Sequence, residues 1–79
     1  MEPISWSNGP HDRYGGHAHA YEKDLWCVAG SIIFLVGEER ETVTLSAGEG
    51  LRLPAGTWHA ATVGPDGCTC VEGHASTSG

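Results

Sequence analysis

Hydrophobic residues recur along this chain with a period of two and show no helical period as long as three turns. Glu41-Thr42-Val43-Thr44-Leu45 alternates polar with apolar, and Leu51 and Leu53 flank Arg52 in the same way. That is the pattern of strands with one buried face. Residues 25–29 (LWCVA) and 31–36 (SIIFLV) are apolar on both faces and meet at Gly30. They predict two strands joined by a bulge or sharp bend, set in a barrel interior or against another subunit. Gly37-Glu38-Glu39-Arg40 reads as the hairpin loop that follows them. Residues 58–63 and 68–72 predict a last hairpin across Gly64-Pro65-Asp66-Gly67, where Pro and Gly stand at turn positions.

Upstream, residues 14–20 predict a strand and 21–23 a turn. Residues 1–13, with Pro3, Gly9 and Pro10, predict a lead-in with at most one short edge strand near 4–7, ordered by a partner surface. The small polar residues 74–79 (HASTSG) predict a flexible tail. The barrel proper is then 14–73. The count of about seven or eight short strands with closely spaced turns is that of an all-β sandwich or barrel.

A chain of 79 residues holds one domain, and one that small buries only about 60% of its unfolded surface. A metal clip or a copy of itself would add what the core lacks and cover edge strands, so a homodimer is expected. A formal charge of −6, from 4 basic and 10 acidic residues, leaves no basic stripe for phosphates and argues against nucleic acid. No run approaches the roughly 18 apolar residues of a membrane helix, and the start MEPISWSNG lacks a basic then apolar region. A cytoplasmic protein without membrane contact is expected. The odd count of 3 Cys points to reduced thiols rather than a disulfide framework. Cys68 and Cys70 share a strand face and read as packing residues more readily than as ligands.

The chemistry lies in His17-Ala18-His19 and in the segment from Gly48 to His59. A His-x-His pair puts both imidazoles on one face of a strand. Pro54 and Gly56 form a tight turn because Pro presets φ and Gly reaches positive φ. That turn delivers His59 at the head of the next strand, so three imidazoles converge on one ion. Neutral imidazoles suit Zn, Cu, Ni and Fe, with Mn and Co also accommodated, so the identity of one divalent transition metal stays open.

At these residues the chain resembles the cupin superfamily, small β-barrels of the jelly-roll or double-stranded β-helix type with a metal site in the barrel mouth. The family's first motif runs roughly Gly-x5-His-x-His-x3,4-Glu-x6-Gly, and His17, His19 and Gly30 match it. Its second runs Gly-x5-Pro-x-Gly-x2-His-x3-Asn, matched by Gly48, Pro54, Gly56 and His59. Only 17 residues separate Gly30 from Gly48, close to the short spacing of the smallest members. Three positions depart: Lys23 stands where the family has its ligand carboxylate, Val63 at the Asn position and His11 at the opening Gly.

The resemblance implies a metal-dependent enzyme of isomerase, oxygenase or lyase type, acting on a small oxygen-bearing molecule in the barrel mouth. It places Lys23 toward the ion as a substrate anchor or proton carrier. Lysine is a poor metal ligand; the candidate for a fourth ligand is Glu22, one residue earlier, which a one-residue bulge would turn inward while Lys23 reaches solvent. The alternatives are a non-catalytic small-molecule binding or sensor domain, or a metal-free pocket that uses Lys23. Trp26, Phe34, Trp58 and Tyr21 read as core or interface, with Trp58 facing away from the ion. His11 and His74 read as solvated, and parity alone leaves Glu72 either at the mouth or in solvent.

Overall fold

Two long strands carry the architecture. In a computed structural model that describes residues 4–75, β3 (Glu22–Val36) and β6 (Trp58–Ala75) run antiparallel over their whole length, from Glu22 opposite Ala75 to Val36 opposite His59. Around them lie β1 (Ile4–Asn8), β2 (Arg13–Ala18), β4 (Glu41–Ser46) and β5 (Gly50–Leu53). β1 pairs residues 68–72 of β6 and β5 pairs residues 23–26 of β3, which makes one half in the order β1-β6-β3-β5. β2 pairs residues 58–62 of β6 and β4 pairs residues 31–36 of β3, which makes the other half, β2-β6-β3-β4. No helix occurs among the described residues. The fold is all-β and barrel-like, as the period of two requires.

Both long strands bend where they pass from one half to the other. In β3 the bend is at Gly30, with φ of 71°, a left-handed conformation that side chains rarely adopt. In β6 the register jumps from Val63 opposite Ile32 to Cys68 opposite Gly30. Gly64-Pro65-Asp66-Gly67 therefore bows out opposite Ser31 instead of closing a hairpin, which corrects the sequence expectation. The segments on either side of it both pair with β3, and that pairing overrides the local turn preference. The two runs expected at 25–29 and 31–36 are likewise one bent strand, so the strand count among the described residues is six.

The lead-in is also more ordered than its composition implies. β1 is stitched to β6 over five residue pairs, and the segment after it is tied down where Val63 N–H donates to the Asp12 carbonyl at 2.7 Å. At the other end β6 runs to Ala75, two residues past the expected limit of the barrel; the rest of the expected tail, 76–79, and the His74 side chain lie outside the described residues.

Alternation sorts the side chains. Leu25, Cys27, Ile32 and Phe34 of β3 point inward and join Leu45, Leu53, Ala61, Val63, Cys68 and Cys70 in the core. Their neighbours Trp26, Val28, Ile33 and Leu35 point outward and stay 38–53% exposed. Cys27 and Cys70 stand directly opposite one another, both fully buried, with Cys68 beside them. All three are free thiols. Burial pushes the Cys70 thiol up to about 12, so its nucleophilic thiolate is scarce at neutral pH. A thiol reagent such as DTNB is therefore expected to leave the native protein almost unmodified and to titrate three thiols per chain in denaturant. Rapid native labelling would mean that the two halves open readily.

Candidate metal centre

β2 and β6 place the histidines. His17 sits directly across from His59, just past an irregularity in the β2 register between Tyr14 and His17. His19 follows the end of β2 and is fixed through its backbone, whose carbonyl accepts the Gly56 N–H at 2.7 Å. Gly56 belongs to the Pro54–Thr57 turn, closed by Thr57 N–H donating to the Pro54 carbonyl at 3.1 Å, and it has φ of 79°. The Pro-x-Gly turn thus does two jobs: it starts β6 at the residue that aims His59 inward, and it clamps His19 beside it. Trp58, one residue earlier, faces the other way, as parity requires. Its ring lies under the Arg40 guanidinium, 3.5 Å from the centroid. It also fills the space beside Gly16, where a Cβ would come within 2.0 Å of the indole.

Among the described residues, His17, His19 and His59 form the one cluster suited to a metal ion, with ligand atoms within 4.8 Å of one another. The hydrogen bonds fix which nitrogens face inward. His17 Nδ1 lies 2.8 Å from the Gly15 carbonyl and His59 Nδ1 lies 3.2 Å from the Thr57 carbonyl. A carbonyl only accepts, so both Nδ1 atoms carry the proton and both Nε2 atoms keep their lone pairs. His17 Nε2 then meets His19 Nε2 at 3.0 Å. Two lone pairs repel at that distance, so a proton on one of the two rings or a cation must lie between them. Two nitrogens bound side by side at about 2.1 Å from one ion, at right angles, would stand about 3.0 Å apart. The donor set fits a divalent transition metal.

His59 is 5% exposed. Burial lowers its pKa, and nearby His17 and Lys23 push the same way, against the Thr57 hydrogen bond and Glu72. Its imidazole is therefore neutral, as a ligand must be, at pH 7.

The structure separates the two candidates for the fourth position. Lys23 shares inward parity with Leu25 and Cys27, and its Nζ lies in the pocket 3.3 Å from Glu72 Oε2, the two side chains 13% and 11% exposed. Glu22 is not brought to the histidines: its carboxylate points outward to Arg52, Oε1 to Nε 3.3 Å. No bulge displaces it, because the β3 register is regular from Glu22 to Cys27. Glu72, which parity left open, lies at the mouth. His11, at φ of 63°, is exposed in a loop as expected.

A pocket of about 240 Å³ lies between the two halves of the barrel. One half contributes Trp6, Lys23, Leu25 and Glu72, and the other Tyr14, Ile32, Phe34, Ala61 and the histidines. Trp6 and Tyr14 were not legible as site residues. They meet edge to face at 5.7 Å, and the Tyr14 hydroxyl donates to Asn8 Oδ1. Trp6 shares a strand face with Ile4, which is half exposed, so the signal depends on β1 joining the sheet. Tyr21, expected in the core or an interface, stacks on His19 with ring centroids 4.8 Å apart.

No protein-family model matches this sequence, and no curated protein matches it either. Solved structures do match. The Schizosaccharomyces pombe Cnp3 cupin domain superposes with a TM-score of 0.86 at 12% identity, over 96% of this chain and 52% of that one. Drosophila melanogaster CENP-C bound to CAL1 gives 0.84 at 11%, over 92% of this chain and 63% of that one. An RmlC-like cupin from Shewanella frigidimarina gives 0.83 at 18%, over 96% and 66%. The chain spans about half of the first and just under two thirds of the second. Histidine geometry and these superpositions agree on one architecture, and the chain has the fold of the cupin superfamily.

Proposed function

We propose that this chain is a metal-dependent cupin in which His17, His19 and His59 hold one divalent transition metal ion, and that a small oxygen-bearing molecule binds in the adjoining pocket and is transformed there. The observation that carries this reading is the facing pair of Nε2 atoms at 3.0 Å, with both Nδ1 protons of His17 and His59 committed to backbone carbonyls. Three protein ligands leave positions open, which is the arrangement of a catalytic site rather than a closed structural one. An ion there would supply Lewis acidity, and Lys23, one of the polar groups lining the pocket, orients the bound molecule or carries a proton. Elemental analysis of protein purified without a His tag is expected to find close to one transition-metal ion per chain. Metal-free protein that also fails to take up Zn, Mn, Fe, Co, Ni or Cu would overturn the reading.

A second reading, a non-catalytic binding domain, draws support from the likeness to CENP-C, which was solved bound to a protein partner. Turnover of no small molecule by the metal-loaded protein, with saturable ligand binding, would favour it. The third reading, a metal-free Lys23 pocket, is weakened because Glu72 holds the amine.

We also propose a homodimer, since Trp26 and Val28 leave over half their surface exposed on the outer face of β3. Sedimentation at micromolar concentration is expected to give at least twice the chain mass of 8.3 kDa. A single species at the chain mass would exclude it.

A further inference from the structure

We infer, on the basis of the three-histidine reading, that the wall facing the histidines recognises a neutral, hydroxyl-bearing molecule such as a monosaccharide, through Lys23, Glu72 and Trp6. These three come from the inner face of one half of the barrel, and His17 and His59 from the inner face of the other. A molecule seated in the pocket is therefore held between an ion on one side and these side chains on the other.

The charge pattern sets the chemistry. Lys23 Nζ and Glu72 Oε2 stand 3.3 Å apart in the pocket wall, both largely buried. Side by side they offer N–H donors and carboxylate acceptors at one place. A hydroxyl is the group that uses both at once, accepting from the ammonium and donating to the carboxylate. A ligand carboxylate would gain Lys23 but meet repulsion from Glu72, and an amine would meet the reverse. Taken without the ion opposite, the pair is thus matched to a neutral hydroxyl and selects against either charged group.

The indole gives a second, independent observation. Trp6 Nε1–H is buried and has no hydrogen-bond partner among the described residues. Buried donors are nearly always satisfied, and an indole N–H only donates. The Trp6 side chain lines the pocket, so an acceptor oxygen there, from a further hydroxyl, a ring ether or a carbonyl, would complete it once the ring turns its N–H inward. Leu25, Ile32, Phe34 and Ala61 supply the remaining apolar wall, which suits the C–H face of a small ring or chain. The volume of about 240 Å³ accommodates a single small ring.

The test uses the full chain, metal-free and Zn-loaded, with D-xylose, tetrahydropyran and acetate as probes and the indole N–H resonance of Trp6, assigned with Trp6→Phe, as the readout. D-xylose is expected to shift that resonance saturably, and Lys23→Met and Glu72→Gln are each expected to weaken the binding about ten-fold. Tetrahydropyran, the same ring without hydroxyls, should bind at least about ten-fold more weakly than D-xylose. The proposal is overturned if tetrahydropyran, or acetate in the metal-free chain, binds as tightly as D-xylose, if no probe moves the Trp6 resonance, or if Glu72→Gln leaves xylose affinity unchanged. The wild-type probe comparison stands even if a variant does not fold. Metal content, measured on the same samples, separates the two readings. Xylose binding that depends on Lys23 and Glu72 in a chain that takes up no metal refutes the metal centre and keeps this inference. A metal-loaded chain indifferent to the hydroxyls does the opposite.

Discussion

Replacing His59 with Ala is expected to lower metal affinity by more than about 100-fold, because it removes a ligand nitrogen held in place by β6, not merely a neighbour that orients one. The imidazole is buried, its Nδ1 is anchored on the Thr57 carbonyl, and it stands directly across from His17. No described side chain is placed to replace it, since the cluster contains no carboxylate. Competition against a chelator measures the loss directly. Excess metal should raise the melting temperature of the wild type, because an ion that binds only the folded state stabilises it by mass action; the variant should show no such rise. Glu22→Gln is the companion experiment. Glu22 faces Arg52 on the outer surface, so metal affinity is expected to stay within about two-fold of wild type, the scale of a small surface effect. Metal retained by His59→Ala, or released by Glu22→Gln, would reverse the assignment of ligands.

Gly30→Ala is expected to cost more than about 3 kcal/mol, a large share of the roughly 5–15 kcal/mol that a domain of this kind holds. Two penalties coincide at this position. Its φ of 71° costs a side-chain-bearing residue about 1–2 kcal/mol. In addition, a Cβ there would lie 2.0 Å from the Gly67 carbonyl oxygen and 2.9 Å from its carbon. These are backbone atoms of the opposing strand, so no rotamer change relieves the clash. Both long strands cross between halves at this point, and spreading them would separate Cys27, Cys68 and Cys70 in the core beneath. Gly37→Ala serves as the control. Gly37 has φ of 77° but nothing within 4 Å of the added carbon, so it should lose only the backbone term of about 1–2 kcal/mol. Urea unfolding of the two variants isolates the cost of the close approach. Equal losses would mean that the strands do not touch at Gly30.

How much of this was legible in the chain differs from element to element. Strand identity was, because alternation at 41–45 and 51–53 encodes which face is buried whatever the strand pairs with. The histidines were legible for the same local reason. A His-x-His pair and a Pro-x-Gly turn two residues before a third His fix directions over a few residues, and Gly56 N–H on the His19 carbonyl then joins the two segments. Gly30 also announced its bend.

What the sequence left open or read differently was decided by pairing between distant segments. The glycines around Pro65 encode a turn, yet the segments flanking them both belong to β6 and pair with β3, so the turn opens into a bow and its glycines serve the close crossing of strands. Trp6 reaches the pocket only because β1 adds to β6, a contact between residues more than sixty positions apart that no local pattern encodes. The choice between Lys23 and Glu22 rested on register: one residue of slip would have exchanged their faces, and the β3–β5 and β3–β6 ladders, regular from Glu22 to Cys27, fix Lys23 inside. Glu72 meets Lys23 for the same reason. The sequence by itself thus determined the period, the turn that aims His59 and the three imidazoles, because these are local; the tertiary structure alone decided what faces them, because the opposite wall is assembled from strands that meet only when the barrel closes.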